Sequence, residues 1–343
     1  MEKIKFLAGS KKRFKEFVNS ISKEDNLAII SHIDVDGIAS ARVVSKALKE
    51  CKMIKFIEYS EINNNLIKEL KENKINKIIV TDLSIDDTNF IQEAKMFSTI
   101  LVIDHHQFDY DFNSEKAVFI NAQGYCAAFL CYYLFFNLKK KYGLDWLVAC
   151  ASIADFQYFK IKSWMKEVYK DYNEEFKINK IKKSKFWEVQ WDLNLALIYF
   201  RKDIKKVFNE IGENFRELNR LKDYINDVKN EIEIKLKNFD KENKNYGKIL
   251  LWKVHSKFYI SSILATLVSI KHPNKIIIVL KEENGYCHAS FRKQGKKINM
   301  KNLAEKFIDG FENSRAGGHI QAAGAHFLIK DLNKFKNRVK NFN

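Results

Sequence analysis

The chain has 343 residues, past the length at which one hydrophobic core is the rule, so two domains are expected. Apolar residues make up 46% of it and aromatics 13%, which excludes intrinsic disorder and collagen-like repeats. The 60 Lys and Arg against 43 Asp and Glu leave a formal charge of +17, the balance of a protein that meets a polyanion such as nucleic acid, although a lysine-rich solvated surface explains part of it.

Cys51, Cys126, Cys131, Cys150 and Cys287 form no C-x-x-C pair and read as reduced thiols of a cytoplasmic protein. The N-terminal MEKIKFLAGSKKRFKEF holds no apolar stretch of signal-peptide length. No uncharged run approaches the ~20 residues that span a bilayer, so no membrane partner is expected.

From Leu27 short apolar runs alternate with helical stretches: LAIISH, MIKFIEY, KIIVTDLS, TILVIDHH and AVFINA. This predicts an α/β domain built on a parallel sheet covered on both faces. Residues 123–200, rich in aromatics and containing Trp146, Trp164, Trp187 and Trp191, read as its helical completion, with the tryptophans in the core. Apolar residues then recur at Phe208, Ile211, Phe215, Leu218, Ile225, Val228 and Ile232, a near-heptad spacing that predicts one long connecting helix over 204–238. Beyond Gly247 a smaller α/β domain follows: a strand KILLWKV, a helix around Ile260 to Ile270, a hairpin turning at Asn284-Gly285, a helix NMKNLAEKFI, the segment RAGGHIQAAGAHF and a last helix. The expected division is 1–200, 201–245 and 246–343.

In a parallel sheet ligands bind beyond the carboxyl ends of the strands. The first run ends in Ser31-His32-Ile33-Asp34-Val35-Asp36-Gly37, and side chains at i, i+2 and i+4 of extended backbone point one way, so His32, Asp34 and Asp36 can converge, with Gly37 freeing the turn into a helix. The next runs deliver Asp82 and then Asp104, His105 and His106 to the same edge, and CASIADF places Asp155 at the end of an apolar helix. Either carboxylate alone could be a helix cap. Together His32, Asp34, Asp36, Asp82, His105 and Asp155 make a nitrogen and oxygen donor set without thiolate, which favours Mn²⁺ or Mg²⁺ over structural zinc, and four carboxylates call for more than one cation.

These residues, in this order and spacing, resemble motifs I to IV of the DHH phosphoesterase superfamily. Ser290-Phe291-Arg292 followed by Arg315-Ala316-Gly317-Gly318-His319-Ile320-Gln321-Ala322-Ala323-Gly324 is similar to its DHH-associated C-terminal domain, with Ala316 where the family usually has the first of three glycines. The resemblance implies an active site in the cleft between the two domains. It implies one cation on His32, Asp34 and Asp82 and a second on Asp36, Asp82, His105 and Asp155, with Asp82 bridging. It further implies His106 beside the scissile phosphate, Asp104 orienting the histidines, and a phosphate clamp made by Arg292, Arg315, Gly317, Gly318, His319 and the positive end of a following helix. His255, His272, His288 and His326 read as structural or exposed.

Within the superfamily the positive charge favours a polynucleotide, because counterion release rewards each phosphate neutralised. The expectation is a RecJ-like exonuclease of the archaeal type on single-stranded DNA or RNA, serving DNA repair or replication, alone, as a homo-oligomer or with a paralogue or replication factor. A nano-RNase or dinucleotide phosphodiesterase is the nearest enzymatic alternative. A catalytically dead replication scaffold is the non-enzymatic one, and the full ligand set speaks against it.

Overall fold

A computed structural model describes residues 4–85, 88–138, 140–295, 297–318 and 320–342. It divides into two compact units, 1–223 and 224–343. Among the described residues no helix is long and apolar enough to cross a membrane.

In the first unit helix α1 (Lys11–Asn19), capped by the Ser10 side chain, precedes strand β1 (Leu27–His32). There follow α2 (Val35–Leu48), β2 (Met53–Ile57), α3 (Asn64–Glu72), β3 (Lys77–Thr81), α4 (Thr88–Lys95), β4 (Thr99–Asp104) and β5 (Ala117–Asn121). All five strands pair in parallel, in the order β2-β1-β3-β4-β5. The expected parallel sheet is therefore present. Its strands alternate between two buried faces. Ala28, Ile30, Ile78, Val80, Ile100 and Val102 pack with Leu66, Leu70, Phe90 and Ile91 of α3 and α4. On the other face α2 lies against β1 and α5 (Ala127–Phe135) against β4.

The chain leaves β1 for β2 on one side and returns to β3 on the other, so the carboxyl ends of β1 and β3 flank a topological switch point, where sheets of this kind hold ligands. The aromatic segment forms α5, α6 (Asp145–Ala154), α7 (Lys162–Asp171) and α8 (Lys185–Tyr199). α5 and α6 both pack on α2. Trp146 is fully buried and Trp164 nearly so, as expected of core tryptophans, whereas Trp187 and Trp191 are only half-buried.

The predicted single helix over 204–238 is not there. α9 (Ile204–Glu210) stops, a 3-10 turn covers Phe215–Leu221, and α10 (Lys222–Glu242) starts anew. At Gly212 a Cβ would lie 2.1 Å from the Glu217 carboxyl, and the Asn214 side chain accepts the Arg216 N–H at 2.9 Å. Close packing and a local cap thus break the helix. The apolar spacing that predicted it survives because Phe208, Ile211 and Leu218 are buried all the same.

The second unit has strands β6 (Lys244–Tyr246), β7 (Ile249–Lys253), β8 (Ile276–Glu283), β9 (Tyr286–Arg292), β10 (Arg315–Gly318) and β11 (Ala322–Leu328), with helices α11 (Ser261–Lys271), α12 (Met300–Ile308) and α13 (Leu332–Lys340). The mixed sheet runs β10-β11-β9-β8-β7-β6. Asn284 and Gly285, at φ 49° and 81°, make the predicted tight turn of the β8–β9 hairpin. Phe291, Phe307, Phe327 and Phe335 fill its core. β10 and β11 are paired, Gly317 opposite Gly324, and the expected last helix, α13, starts only after β11 and a 3-10 turn over Ile329–Asp331. The helix that begins beside the turn from β10 to β11 is the earlier α12, whose Met300 N–H donates to the Ile320 carbonyl at 2.8 Å. The residues of β10, small and without β-branching, carry no strand signal of their own.

Gly37 lies inside α2, and its backbone has no left-handed twist. Its missing side chain matters because a Cβ would stand 2.2 Å from the His32 carbonyl oxygen. Gly37→Ala is therefore expected to cost about 3 kcal/mol, the upper end for overpacking, since the obstacle is backbone. Chemical denaturation checks this, and an unchanged midpoint would contradict the contact.

Candidate metal centre

β1 ends at His32, and the chain turns at once into α2, where the Asp34 carboxylate accepts the Gly37 N–H at 2.9 Å as the N-cap. His32, Asp34 and Asp36 therefore do not converge along one extended strand as the spacing predicted. His32 Nδ1 meets Asp34 Oδ2 at 2.9 Å. Asp36, in the first turn of the helix, points elsewhere: its two oxygens accept the Ala127 and Ala128 N–H groups at 2.7 and 2.8 Å. This buried carboxylate closes the N-terminus of α5, a favourable place for an anion.

Asp82 follows β3 with φ at 56° and is almost wholly buried. Its Oδ2 has no aligned hydrogen-bond donor among the described residues and lies 3.8 Å from His32 Nδ1, while Oδ1 lies 3.3 Å from His105 Nε2. His105, just past β4, also has Asp155 Oδ2 at 3.1 Å and Asp36 Oδ2 at 3.6 Å around that same nitrogen. Asp155 caps the C-terminus of α6, the negative end of the helix dipole, where a carboxylate is disfavoured and a neighbouring positive charge offsets the cost. The structure thus brings all six expected donors into two adjoining groups, His32-Asp34-Asp82 and Asp36-His105-Asp155, each with donor atoms within 4.8 Å of one another.

Asp104 lies with Asp82, His105 and His106 in a third group of donor atoms within 4.8 Å, and it hydrogen-bonds His106. Its Oδ1 takes the His106 Nδ1 at 2.7 Å and its Oδ2 the His106 N–H at 3.3 Å. The other ring nitrogen, Nε2, lies 3.4 Å from the Tyr59 hydroxyl, and Asn121 donates to the His106 carbonyl at 2.9 Å. Tyr59 went unnoticed in the sequence. Its ring is 5.1 Å from that of His32, and it stands two residues beyond β2, so the rule that singled out the other strand ends would have found it. Ser31, whose hydroxyl bridges the Gly37 carbonyl at 2.7 Å and Thr81 Oγ1 at 2.7 Å, ties β1, α2 and β3 together beneath the donors.

Four carboxylates stand together here, Asp36 and Asp82 buried, Asp34 and Asp155 half-buried, and they repel one another. Burial, then the charges of Asp36, Asp34 and Asp155, push the Asp82 carboxyl well above the usual range. Burial and Asp155 push Asp36 up to about 7. Against the pull of burial, Asp155 and Asp36 raise His105 to about 9. Asp34 is depressed: burial opposes it, but His32 and the Gly37 N–H prevail. The unsatisfied Asp82 oxygen and the oxygen-rich set around two imidazoles fit a divalent cation.

The residues expected to clamp phosphate lie in the second unit. Arg292 is drawn inward, its guanidinium donating to Thr266 Oγ1 at 3.1 Å, Ser262 Oγ at 2.5 Å, and the Phe291 and Ala323 carbonyls at 2.8 and 3.4 Å. Four of its five N–H donors are thereby engaged in joining α11 to the sheet. Arg315 is exposed at the start of β10. Gly318 has φ 132°, and a Cβ there would meet the Ala322 carbonyl at 2.4 Å, so the turn itself demands glycine. At Gly317 a Cβ would meet nothing within 4 Å. His319 lies outside the described residues.

Residues 26–156 match the model of the DHH family, N-terminal domain, and residues 255–343 that of the DHHA1 domain. A structure of exonuclease RecJ bound to manganese aligns over 100% of this chain and 96% of its own, at 14% identity and a TM-score of 0.71. RecJ from Thermus thermophilus in complex with Mn²⁺ aligns over 96% of this chain at 14% identity and a TM-score of 0.72, and this chain spans 54% of that protein. CDC45 from Entamoeba histolytica aligns over 96% of this chain and 98% of its own, at 10% identity and a TM-score of 0.55. At these identities the likeness is one of fold. No curated protein sequence matches significantly.

The raised groups make a pH prediction. Asp36 binds its proton more tightly folded than unfolded, so without metal it weakens the fold as pH rises from about 4 to 7. His105 adds stability below its unfolded pKa that is lost as pH rises through about 9. Both signs agree. Chelator-treated protein should melt lower at pH 8.5 than at pH 6, and Mn²⁺ at a hundred times its dissociation constant should restore about 3 kcal/mol, several degrees in Tm. A melting temperature indifferent to Mn²⁺ at pH 8.5 would count against the centre.

Proposed function

Because the chain belongs to the DHH superfamily and has a RecJ-like fold, we propose that it is a metal-dependent phosphodiesterase, a RecJ-like exonuclease that hydrolyses single-stranded DNA or RNA with two divalent cations, Mn²⁺ before Mg²⁺. The observation that carries this reading is the meeting of four carboxylates and two imidazoles, from the ends of β1, β3, β4 and α6 and the first turn of α2, around the buried Asp82. His32, Asp34 and Asp82 would hold one ion and Asp36, Asp82, His105 and Asp155 the other, with Asp82 shared. Bound there, divalent cations lower the pKa of water for attack on phosphorus and neutralise phosphoryl oxygens.

The chain's own groups do the rest. Asp104 fixes the ring of His106 through Nδ1, so Nε2 is the atom presented to a phosphoryl oxygen, to which it donates when protonated. Tyr59 braces that nitrogen from the side. Asp36, held by two backbone N–H groups, keeps its carboxylate from swinging away as charge changes at the site. In the second unit Arg315, Gly317, Gly318 and His319 are the proposed phosphate contacts. The open space over Gly317 supports this, since a glycine with no neighbour of its own to accommodate leaves its backbone accessible to a ligand. Arg292 supports the clamp chiefly by anchoring its strand.

The charge of +17 favours long strands over dinucleotides. The test compares hydrolysis of long single strands of DNA and RNA with that of a linear dinucleotide, in Mn²⁺ and in EDTA. Faster metal-dependent turnover of the long strands is expected. Cleavage confined to the dinucleotide would replace the exonuclease with a small-substrate phosphodiesterase, and no metal-dependent cleavage would favour a scaffold. Asp82→Asn, which preserves volume, should lower turnover about 1,000-fold, the several kcal/mol that metal activation supplies, with an unchanged far-UV spectrum.

A further inference from the structure

α6 ends in an unusual way. The Gln157 N–H donates to the Ser152 carbonyl at 2.9 Å and the Phe156 N–H to the Ile153 carbonyl at 3.1 Å. This is the paired hydrogen bonding of a Schellman ending, and Phe156 occupies the left-handed position, at φ 55°. Glycine is the ordinary residue there, and a bulky side chain in that conformation is strained. Burial repays the strain only in part, since Phe156 is 55% exposed. A strained backbone and an exposed aromatic ring are thus both maintained one residue after Asp155, whose Oδ2 lies 3.1 Å from His105 in the metal cluster.

The surroundings fit a use for the ring. It meets Trp187 edge-on, ring centroids 6.4 Å apart. Trp187 is half-buried at the start of α8 and carries Lys182 over its face at 5.7 Å. Lys180, Lys183 and Lys185, also exposed, follow along the same stretch. Aromatic faces interleaved with lysines are what a flexible single strand uses, bases stacking on rings while phosphates meet ammonium groups.

We propose that Phe156 is a base-stacking platform for the nucleotide next to the scissile phosphate, and that the strand continues from it across Trp187 towards Lys182. This rests on the exonuclease reading above and deepens it: the substrate is recognised by its bases' π faces, without regard to sequence. Stacking requires the strained, exposed phenyl that a glycine would avoid.

The test uses the full-length protein in Mn²⁺, a single-stranded oligonucleotide, and a strand of the same length that is abasic throughout, so that the direction of digestion does not matter. On the natural strand Phe156→Ala should raise KM about 5- to 100-fold, the range of one base–ring stack, and Phe156→Trp should restore it. On the abasic strand the wild type and Phe156→Ala should converge. Phe156→Gly should raise Tm while losing affinity for the natural strand, which a ring kept for packing would not do. An equal loss by Phe156→Ala on both strands, or a lower Tm for Phe156→Gly, would overturn the platform. The wild type hydrolysing neither strand would overturn the exonuclease reading and the platform with it, whereas hydrolysis of both with no difference between the variants would overturn the platform alone.

Discussion

Uncompensated negative charge at the carboxyl edge of the first sheet is the constraint around which the first unit is arranged. Burial first, and then the mutual repulsion of Asp34, Asp36, Asp82 and Asp155, raises Asp36 and Asp82 above the carboxylate range, and in a low-dielectric interior such a group is costly unless each charge has a partner. The fold answers part of the charge with backbone. The Gly37 N–H serves Asp34, and the Ala127 and Ala128 N–H groups serve Asp36. Asp82 and Asp155 are left to the imidazoles and to a cation.

This explains why the donors come from short, rigid places. His32, Asp82, Asp104 and His105 stand at or one residue past the ends of neighbouring strands, where the parallel register sets their separation to the strand spacing. Asp36 and Asp155 come from helix ends on the covering layer. The layer must therefore sit at one height above the sheet, and Gly37 permits that by letting α2 press onto the His32 carbonyl. Stability and site share this contact.

The same economy appears at α6. Its C-terminus carries Asp155 and then Phe156, so one helix ending presents a carboxylate to His105 and an aromatic ring towards solvent. In the second unit Gly318 serves the turn and Gly317 leaves space, while Arg292, a natural candidate for phosphate, is spent on holding α11 to its sheet.

Much of this was legible in the chain. Apolar runs of five or six residues, too short for helices and alternating with helical stretches, identify parallel strands, and the polar residues at or directly after their ends, His32, Asp82, Asp104, His105 and His106, then lie at the edge where such sheets hold ligands. The chemistry of the donor set follows from residue type. What needed the tertiary structure were features set by distance in space. The break in the helix over 204–238 lies at Gly212 and the Asn214 cap, signals that are local and outweighed by the apolar periodicity, whereas the strand β10 exists only through its pairing with β11, and Asp36 leaves the line of His32 and Asp34 for the N-terminus of α5, 91 residues further on. Periodicity reports which residues are buried, whereas the partner that buries or caps them is chosen by long-range packing, which no local pattern encodes.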